Sequence, residues 1–173
     1  GYIKMYNIPN NTGSAKIENQ FFGRQIPNFN LPIVNGNGSN SDSFIFIPSE
    51  DNKYYLFIFF TPWDCQSCFD EIPFWRQLKN KFNGRLNVIG IGAANSLNLL
   101  RHFVNKNDIS ILTIFDENEY LFSLLGLNES GLTPAKILVN SRGAILNLNP
   151  STHKNNQLQQ KYITLIDRII PNI

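Results

Sequence analysis

The spacing of hydrophobic positions changes several times along the chain, and each change marks a predicted element. Residues 55–60 are apolar without interruption, which is typical of a strand that is buried on both faces of a sheet. From about residue 66 to residue 82 the apolar positions recur at helical spacing, and Pro73 is predicted to kink this helix. Asn83 and Gly84 are predicted to end it.

The alternation of strand and helix continues to the end of the chain. The later predicted strands are residues 86–92, 111–115, 136–139 and 144–148, with residues 140–143 as a hairpin turn. The later predicted helices are residues 95–105 and 155–170. Asp116 is a predicted N-cap of a short helix that ends at Gly126. On the last helix, four residues are predicted to face inward: Leu158, Leu165, Ile166 and Ile169.

This order of elements predicts an α/β fold with a mixed rather than an all-parallel sheet. Near the start of the chain, Phe29 and Leu31 alternate with polar residues, and residues 35–40 carry Asn-Gly turn chemistry. Residues 44–47 are therefore predicted to return as a second strand. Residues 1–20 are polar and are predicted to form an arm before a single domain over residues 21–173.

Composition and charge exclude some classes of function. The chain has 173 residues, of which 42% are hydrophobic, and this is enough for one core of ordinary size. The net charge is only +2, and its lysines and arginines are scattered, so the sequence shows no nucleic-acid footprint. No apolar stretch reaches the roughly 20 residues that span a bilayer.

The two cysteines stand where the buried strand gives way to the helix, as Cys65-Gln-Ser-Cys68. The first turn of a helix presents unpaired N–H groups and the positive end of the dipole, and both favour a thiolate. A thiol at such a position can have its pKa lowered to about 3.5–7.5. Cys65 is therefore the predicted attacking thiolate, and Cys68 is predicted to resolve the mixed disulfide.

Two other interpretations of the cysteine pair are weaker. A structural disulfide across so short a loop would remove little entropy from the unfolded chain. A zinc site needs further ligands, and the two histidines, His102 and His153, stand in no Cys/His cluster. The pattern favours a redox-active pair, and it indicates neither a metal nor another cofactor.

Three segments carry a resemblance to a known family: residues 23–31, residues 59–73 around the cysteines, and residues 131–143. On these segments the chain resembles thioredoxin-fold redoxins of the AhpC/TSA superfamily. It is most similar to the TlpA/ResA group of thiol-disulfide oxidoreductases, over roughly residues 20–170. The resemblance implies a thioredoxin-like fold, with a mixed central sheet flanked by helices and an N-terminal strand or hairpin extension.

The resemblance also implies roles for residues around Cys65 and Cys68. Thr133 and Pro134 match a cis-proline segment beside the disulfide. Glu71 matches a glutamate that influences thiol acidity, although a solvated carboxylate on the helix surface is the alternative. Trp63 would stack against a bound polypeptide, the alternative being simple packing at the strand end. The candidate catalytic residues are Cys65, Cys68, Pro134 and Glu71, and the candidate substrate-binding residues are Trp63 and Thr133.

One position departs from the family pattern. The family usually has tryptophan directly before the first cysteine, whereas here Trp63 stands one place earlier and Asp64 fills that position. A carboxylate beside Cys65 would repel a thiolate and so raise the pKa of the thiol. We therefore expect an oxidoreductase that is not a strong oxidant.

Three functions compete. The leading hypothesis is an enzyme that reduces or exchanges disulfides in protein substrates and receives electrons from a dithiol donor. A peroxiredoxin-like peroxidase is less favoured, because such enzymes have Thr or Ser three residues before the reactive cysteine, where this chain has Pro62. A redox-inactive binding module is the third. By resemblance we expect an extracytoplasmic location, which is either periplasmic or anchored to a membrane by a tether upstream of Gly1.

Overall fold

The computed structural model describes residues 24–35, 42–64, 66–127, 133–150 and 152–172, and for Ser67 and Cys68 it describes the backbone alone. In chain order the elements are β1 (Phe29–Pro32), β2 (Ser43–Phe46), β3 (Tyr54–Phe60), a 3₁₀ helix (Gln66–Glu71), α1 (Ile72–Lys81), β4 (Asn87–Ala94), α2 (Leu97–Lys106), β5 (Leu112–Glu117), α3 (Tyr120–Leu124), β6 (Ala135–Asn140), β7 (Ile145–Asn149) and α4 (Asn156–Ile169).

Five of these strands form one mixed sheet in the order β5-β4-β3-β6-β7. β3 pairs in parallel with β4 and antiparallel with β6, which confirms its predicted central position. β6 and β7 form the predicted hairpin. β1 and β2 pair antiparallel as a separate two-stranded hairpin, so the predicted N-terminal extension is also confirmed. The architecture is the thioredoxin-like α/β fold.

The side chains of β3 alternate between two hydrophobic cores. Leu56, Ile58 and Phe60 lie in a core that includes buried residues of α1, α2 and α4. Phe57 and Phe59 lie in a second core, together with residues of the β1–β2 hairpin and of α3. All five side chains are fully buried. The uninterrupted apolar run is therefore explained by a strand that is covered on both faces.

The segment after β3 differs from the single kinked helix that its periodicity predicted. Residues Gln66–Glu71 form a 3₁₀ helix, and the α-helix begins only at Ile72. Pro73 lies in the first turn of α1, where the N–H that proline lacks would have no helical acceptor. The predicted kink is wrong: Pro73 lies near the start of an α-helix, and Cys68 lies in the preceding 3₁₀ helix.

Two further predictions are corrected. Asp116 lies in β5 rather than at the N-cap of α3, yet its carboxylate accepts two backbone N–H groups of that helix, at 2.9 and 3.0 Å. Leu158 is exposed on α4, whereas Tyr162 and Ile166 form the buried side of that helix. The inward face of α4 therefore includes an aromatic residue that the pattern of leucines and isoleucines did not indicate.

The predicted arm over residues 1–20 and most of the predicted turn over residues 35–40 lie outside the described residues. The division of the chain into an arm and a domain from residue 21 therefore stays a prediction. Within the described part of the chain, none of the helices has the length and apolar character needed to cross a membrane.

Candidate active site

The candidate site lies at the edge of the sheet where β3 ends and β6 begins. These strands are antiparallel neighbours, with Phe59 opposite Ala135, so the end of one and the start of the other meet at the same edge. The segment that contains the cysteines leaves β3 at this edge, and the Thr133–Pro134 segment enters β6 there. The topology thus brings together two segments that are far apart along the chain.

The peptide bond between Thr133 and Pro134 is cis, as the resemblance implied. Pro134 is buried and Thr133 is half-buried. The predicted contact of Pro134 with Cys65 involves a residue outside the described ranges and stays a prediction.

Asp64, the residue before Cys65, is held by three hydrogen bonds. Its Oδ2 accepts the Thr61 N–H at 2.9 Å, and its Oδ1 accepts the Thr61 hydroxyl at 2.9 Å. The same Oδ1 accepts the Thr133 hydroxyl at 2.5 Å. From the sequence alone, the charge of Asp64 was expected to act on Cys65. In the structure its two oxygens accept hydrogen bonds from Thr61 and Thr133, which lie on two separate segments.

Trp63 is 54% exposed, although it follows closely on the buried end of β3. Packing at the strand end, the alternative to a binding role, would have buried more of the indole. The exposure leaves a large amphipathic side chain beside the cysteine segment free to contact another molecule.

Glu71, at the end of the 3₁₀ helix, is fully buried. Its Oε1 accepts the Trp75 Nε1–H at 2.8 Å and also forms an ion pair with the buried Lys136 Nζ. Its Oε2 accepts the backbone N–H of His153 at 2.6 Å. A solvated surface carboxylate is therefore the wrong interpretation of Glu71, whereas its neighbour Asp70 is exposed.

Further polar groups surround this ion pair, and we call Glu71, Lys136, Asn149, His153 and Tyr162 the buried polar cluster. Burial lowers the pKa of Lys136, and the charge of Glu71 opposes that shift. Burial, and then the charge of Lys136, lower the pKa of His153 to about 2. Burial, and then the charge of Glu71, raise the pKa of Tyr162 well above its usual value.

The ring of His153 is neutral and fixed in position. It stacks on the Tyr162 ring with centroids 4.4 Å apart. The Asn149 side-chain nitrogen lies 3.0 Å from His153 Nε2. The other ring nitrogen, Nδ1, lies 3.9 Å from Glu71 Oε2 and has no hydrogen-bond partner among the described residues.

An open groove of about 500 Å³ adjoins the cysteine segment through Gln66. Phe69 and Pro73 supply apolar lining, and Arg76 and Asp108 form an exposed ion pair at 3.2 Å beside them. The 3₁₀ helix is therefore flanked by the buried polar cluster through Glu71 and by an accessible groove.

Comparison with known sequences supplies the family. The family model described as the AhpC/TSA family matches residues 22–147, about three quarters of the chain. The chain belongs to the AhpC/TSA family. No curated protein sequence matches it.

Solved structures similar to this AhpC/TSA-family chain show the same fold. A protein from Chlorobium tepidum assigned as the thiol:disulfide interchange protein DsbE has a TM-score of 0.67 at 16% identity, covering 86% of this chain and 96% of its own. One from Bacteroides thetaiotaomicron assigned as a protein disulfide isomerase has a TM-score of 0.65 at 20% identity, covering 86% and 89%. A secreted disulfide oxidoreductase of Mycobacterium tuberculosis has a TM-score of 0.58 at 18% identity, covering 81% and 95%.

The buried polar cluster of this AhpC/TSA-family chain was largely missed from the sequence. His153 lies between the polar residues Thr152 and Lys154, and nothing along the chain indicates that it is buried. Lys136 did carry a signal, because it interrupts the apolar strand Ala135-Lys-Ile-Leu-Val139. A lysine inside a doubly covered strand requires a buried counter-ion, and the structure shows that this counter-ion is Glu71.

Proposed function

We propose that this AhpC/TSA-family chain is a thiol-disulfide oxidoreductase that reduces or exchanges disulfides in protein substrates. The observation that carries the proposal is the Cys65-x-x-Cys68 motif directly after the central strand of a thioredoxin-like fold, at the edge where the cis-proline segment enters the sheet. Two thiols spaced by two residues supply the reactant pair that reversible disulfide exchange requires.

The reaction balances in two exchange steps. The Cys65 thiolate attacks one sulfur of a client disulfide, the client S–S bond breaks, and one client sulfur leaves as a thiolate that takes up a proton. The Cys68 thiolate then attacks the Cys65 sulfur, forms the Cys65–Cys68 disulfide and releases the second client thiol. Two electrons pass to the client, and an external dithiol donor returns the pair to its reduced form.

Glu71 is proposed to accept the proton that Cys68 must lose before it attacks. Positions three residues apart in a 3₁₀ helix lie on the same side, so positions 68 and 71 share one side of this helix. Glu71 is held in place by Trp75 and His153 and is compensated by Lys136, which keeps a carboxylate fixed in a buried environment. An ionised carboxylate can take up this proton.

Trp63 and Thr133 are proposed to contact the client polypeptide. Trp63 offers an exposed indole on one side of the cysteine segment, and Thr133 precedes Pro134 on the segment that enters β6. An extracytoplasmic location, periplasmic or anchored to a membrane, is part of the proposal. It is supported by the M. tuberculosis relative, whose description calls it secreted.

Trapping of the mixed disulfide tests the proposed roles of Cys65 as the attacking thiol and Cys68 as the resolving thiol. The Cys68→Ser variant, reduced and mixed with a disulfide-containing protein such as insulin, is expected to form a covalent adduct visible by intact mass, because the resolving thiol is gone. The Cys65→Ser variant is expected to form no adduct and to lose reductase activity. Ser67→Ala, in the same motif, is the control and is expected to retain both reduction of the client and release of its thiols.

Two outcomes would contradict the proposed oxidoreductase activity, and each would favour a different function. If the reduced protein leaves protein disulfides intact but consumes hydrogen peroxide through Cys65, the chain is a thiol peroxidase. If Cys65 neither reduces a disulfide nor reacts with an alkylating agent, the chain is a redox-inactive binding module.

A further inference from the structure

Asp64 joins two segments that approach the site from different parts of the chain. Its bonds to the N–H and hydroxyl of Thr61 are local and close the turn that leaves β3. Its bond to the hydroxyl of Thr133 spans 69 residues of sequence. One carboxylate therefore fixes the turn before Cys65 and also connects that turn to the residue before Pro134.

We propose that the Asp64–Thr133 hydrogen bond positions the two segments and thereby sets the affinity for an extended polypeptide client. Asp64 acts in this through Thr133 and is a positioning residue, not a catalytic one. The inference rests on the proposed function, because the client is the same one whose disulfide is reduced. It departs from the expectation that Asp64 acts by its charge on Cys65.

The location of the bond supports a positioning role. The β3–β6 pairing ends with Phe59 opposite Ala135, so Asp64 and Thr133 lie beyond the last paired residues of the two strands. Past that point the ladder no longer fixes the separation of the segments. A hydrogen bond to an ionised carboxylate is shorter and stronger than a neutral one, so it is suited to hold that separation.

Three substitutions distinguish a positioning role of the Asp64–Thr133 hydrogen bond from an effect of the Asp64 charge on Cys65. Thr133→Val keeps the shape and β-branching of residue 133 and removes only its hydroxyl, while the charge of Asp64 remains. Thr133→Ser restores the hydroxyl. Asp64→Asn removes the charge but leaves a carbonyl oxygen that can accept both hydroxyls, and its NH₂ group then faces the Thr61 N–H.

The test measures kcat and KM for reduction of a disulfide-containing protein by each variant. Thr133→Val is expected to raise KM about tenfold with kcat changed less than twofold, because the bond that is lost joins the two segments and lies away from the reacting sulfurs. Thr133→Ser is expected to recover the KM of the original chain. Thr164→Val, an exposed threonine on α4, is the matched control and is expected to change neither constant.

The pH profile of Cys65 alkylation completes the comparison. If Asp64 acts by positioning Thr133, the pH midpoint of Cys65 alkylation is expected to be the same in Asp64→Asn as in the original chain. A shift of the midpoint by a full pH unit in Asp64→Asn, together with an unchanged KM in Thr133→Val, would overturn the proposal in favour of a charge effect. A Thr133→Ser variant as impaired as Thr133→Val would overturn it too.

A double-mutant cycle on unfolding keeps this inference separate from the proposed function. Each single variant is expected to lower the ratio of folded to unfolded protein. If the hydrogen bond forms, the loss in the Asp64→Ala/Thr133→Val double variant is about fivefold smaller than the product of the two single losses. Additive effects would show that the bond does not form. If the chain reduces no protein disulfide, the proposed function fails, yet the cycle still reports on the bond.

Discussion

Replacement of Lys136 by methionine tests the most consequential feature of the site, its buried ion pair. Neither Lys136 nor Glu71 has any exposed surface, so water cannot compensate the charge that remains when one partner is removed. Methionine keeps much of the apolar stem of lysine and removes the ammonium. Removing one partner of a buried pair costs about 3–5 kcal/mol, so we expect the free energy of unfolding of Lys136→Met to fall by that amount.

The double variant Glu71→Gln/Lys136→Met predicts a partial recovery. It contains no unpaired charge, and the glutamine oxygen can still accept the Trp75 Nε1–H. Its main defect is the His153 N–H, which would face the amide NH₂ in place of Oε2. An unsatisfied buried donor costs about 1–3 kcal/mol, so the double variant is expected to be more stable than Lys136→Met alone.

Urea denaturation at pH 7 measures these differences, with Lys79→Met as the matched control. Lys79 is exposed on α1, and its replacement is expected to change stability by less than about 0.5 kcal/mol. A loss below about 1 kcal/mol in Lys136→Met, or a double variant less stable than that single variant, would refute the ionised buried pair.

Two further predictions concern other buried polar groups. Because the unfolded chain binds a proton on His153 with a pKa near 6.5 and the folded chain does so only at about 2, acid favours unfolding. Lowering the pH from 7 to 5.5 should cost about 1.3 kcal/mol through this residue. The stability of His153→Phe should no longer depend on pH in this way, whereas that of the control His102→Gln, at an exposed position, should. An equal pH dependence of stability in both variants would show that His153 is not its source. Asp116→Ala leaves two α3 N–H groups without their acceptor, so the free energy of unfolding measured by denaturation should fall by about 2–4 kcal/mol and hydrogen exchange at those two amides should become faster. Glu117 is exposed beside it, and Glu117→Ala should change the free energy of unfolding little. Equal losses of stability in the two variants would contradict the role of Asp116 as the acceptor for α3.

The sequence predicted the fold well where a single periodicity dominated. The apolar run over residues 55–60 was typical of a strand covered on both faces, and the turn over residues 140–143 identified the β6–β7 hairpin. The prediction failed at Pro73, because a 3₁₀ helix and the α-helix that follows it share nearly the same apolar spacing. Periodicity cannot distinguish one kinked helix from two helices in succession.

The candidate site was predicted in part. The cis peptide bond before Pro134 followed from the resemblance and is confirmed. The contacts of Glu71 with Lys136 and His153 were not foreseen, since these residues lie 65 and 82 residues away along the chain. Contacts of this kind depend on strand order and on the path of the chain after β7, and no local pattern encodes them.

The antiparallel pairing of β3 with β6 has a consequence for the order in which the site is completed during synthesis. The ribosome makes the cysteine segment first, whereas the Thr133 hydroxyl that bonds Asp64 comes 69 residues later. The backbone N–H of His153 that binds Glu71 comes 82 residues after that carboxylate. A nascent chain therefore presents its cysteines before either group exists, and the hydrogen bonds to Asp64 and Glu71 form only after these later residues have been made.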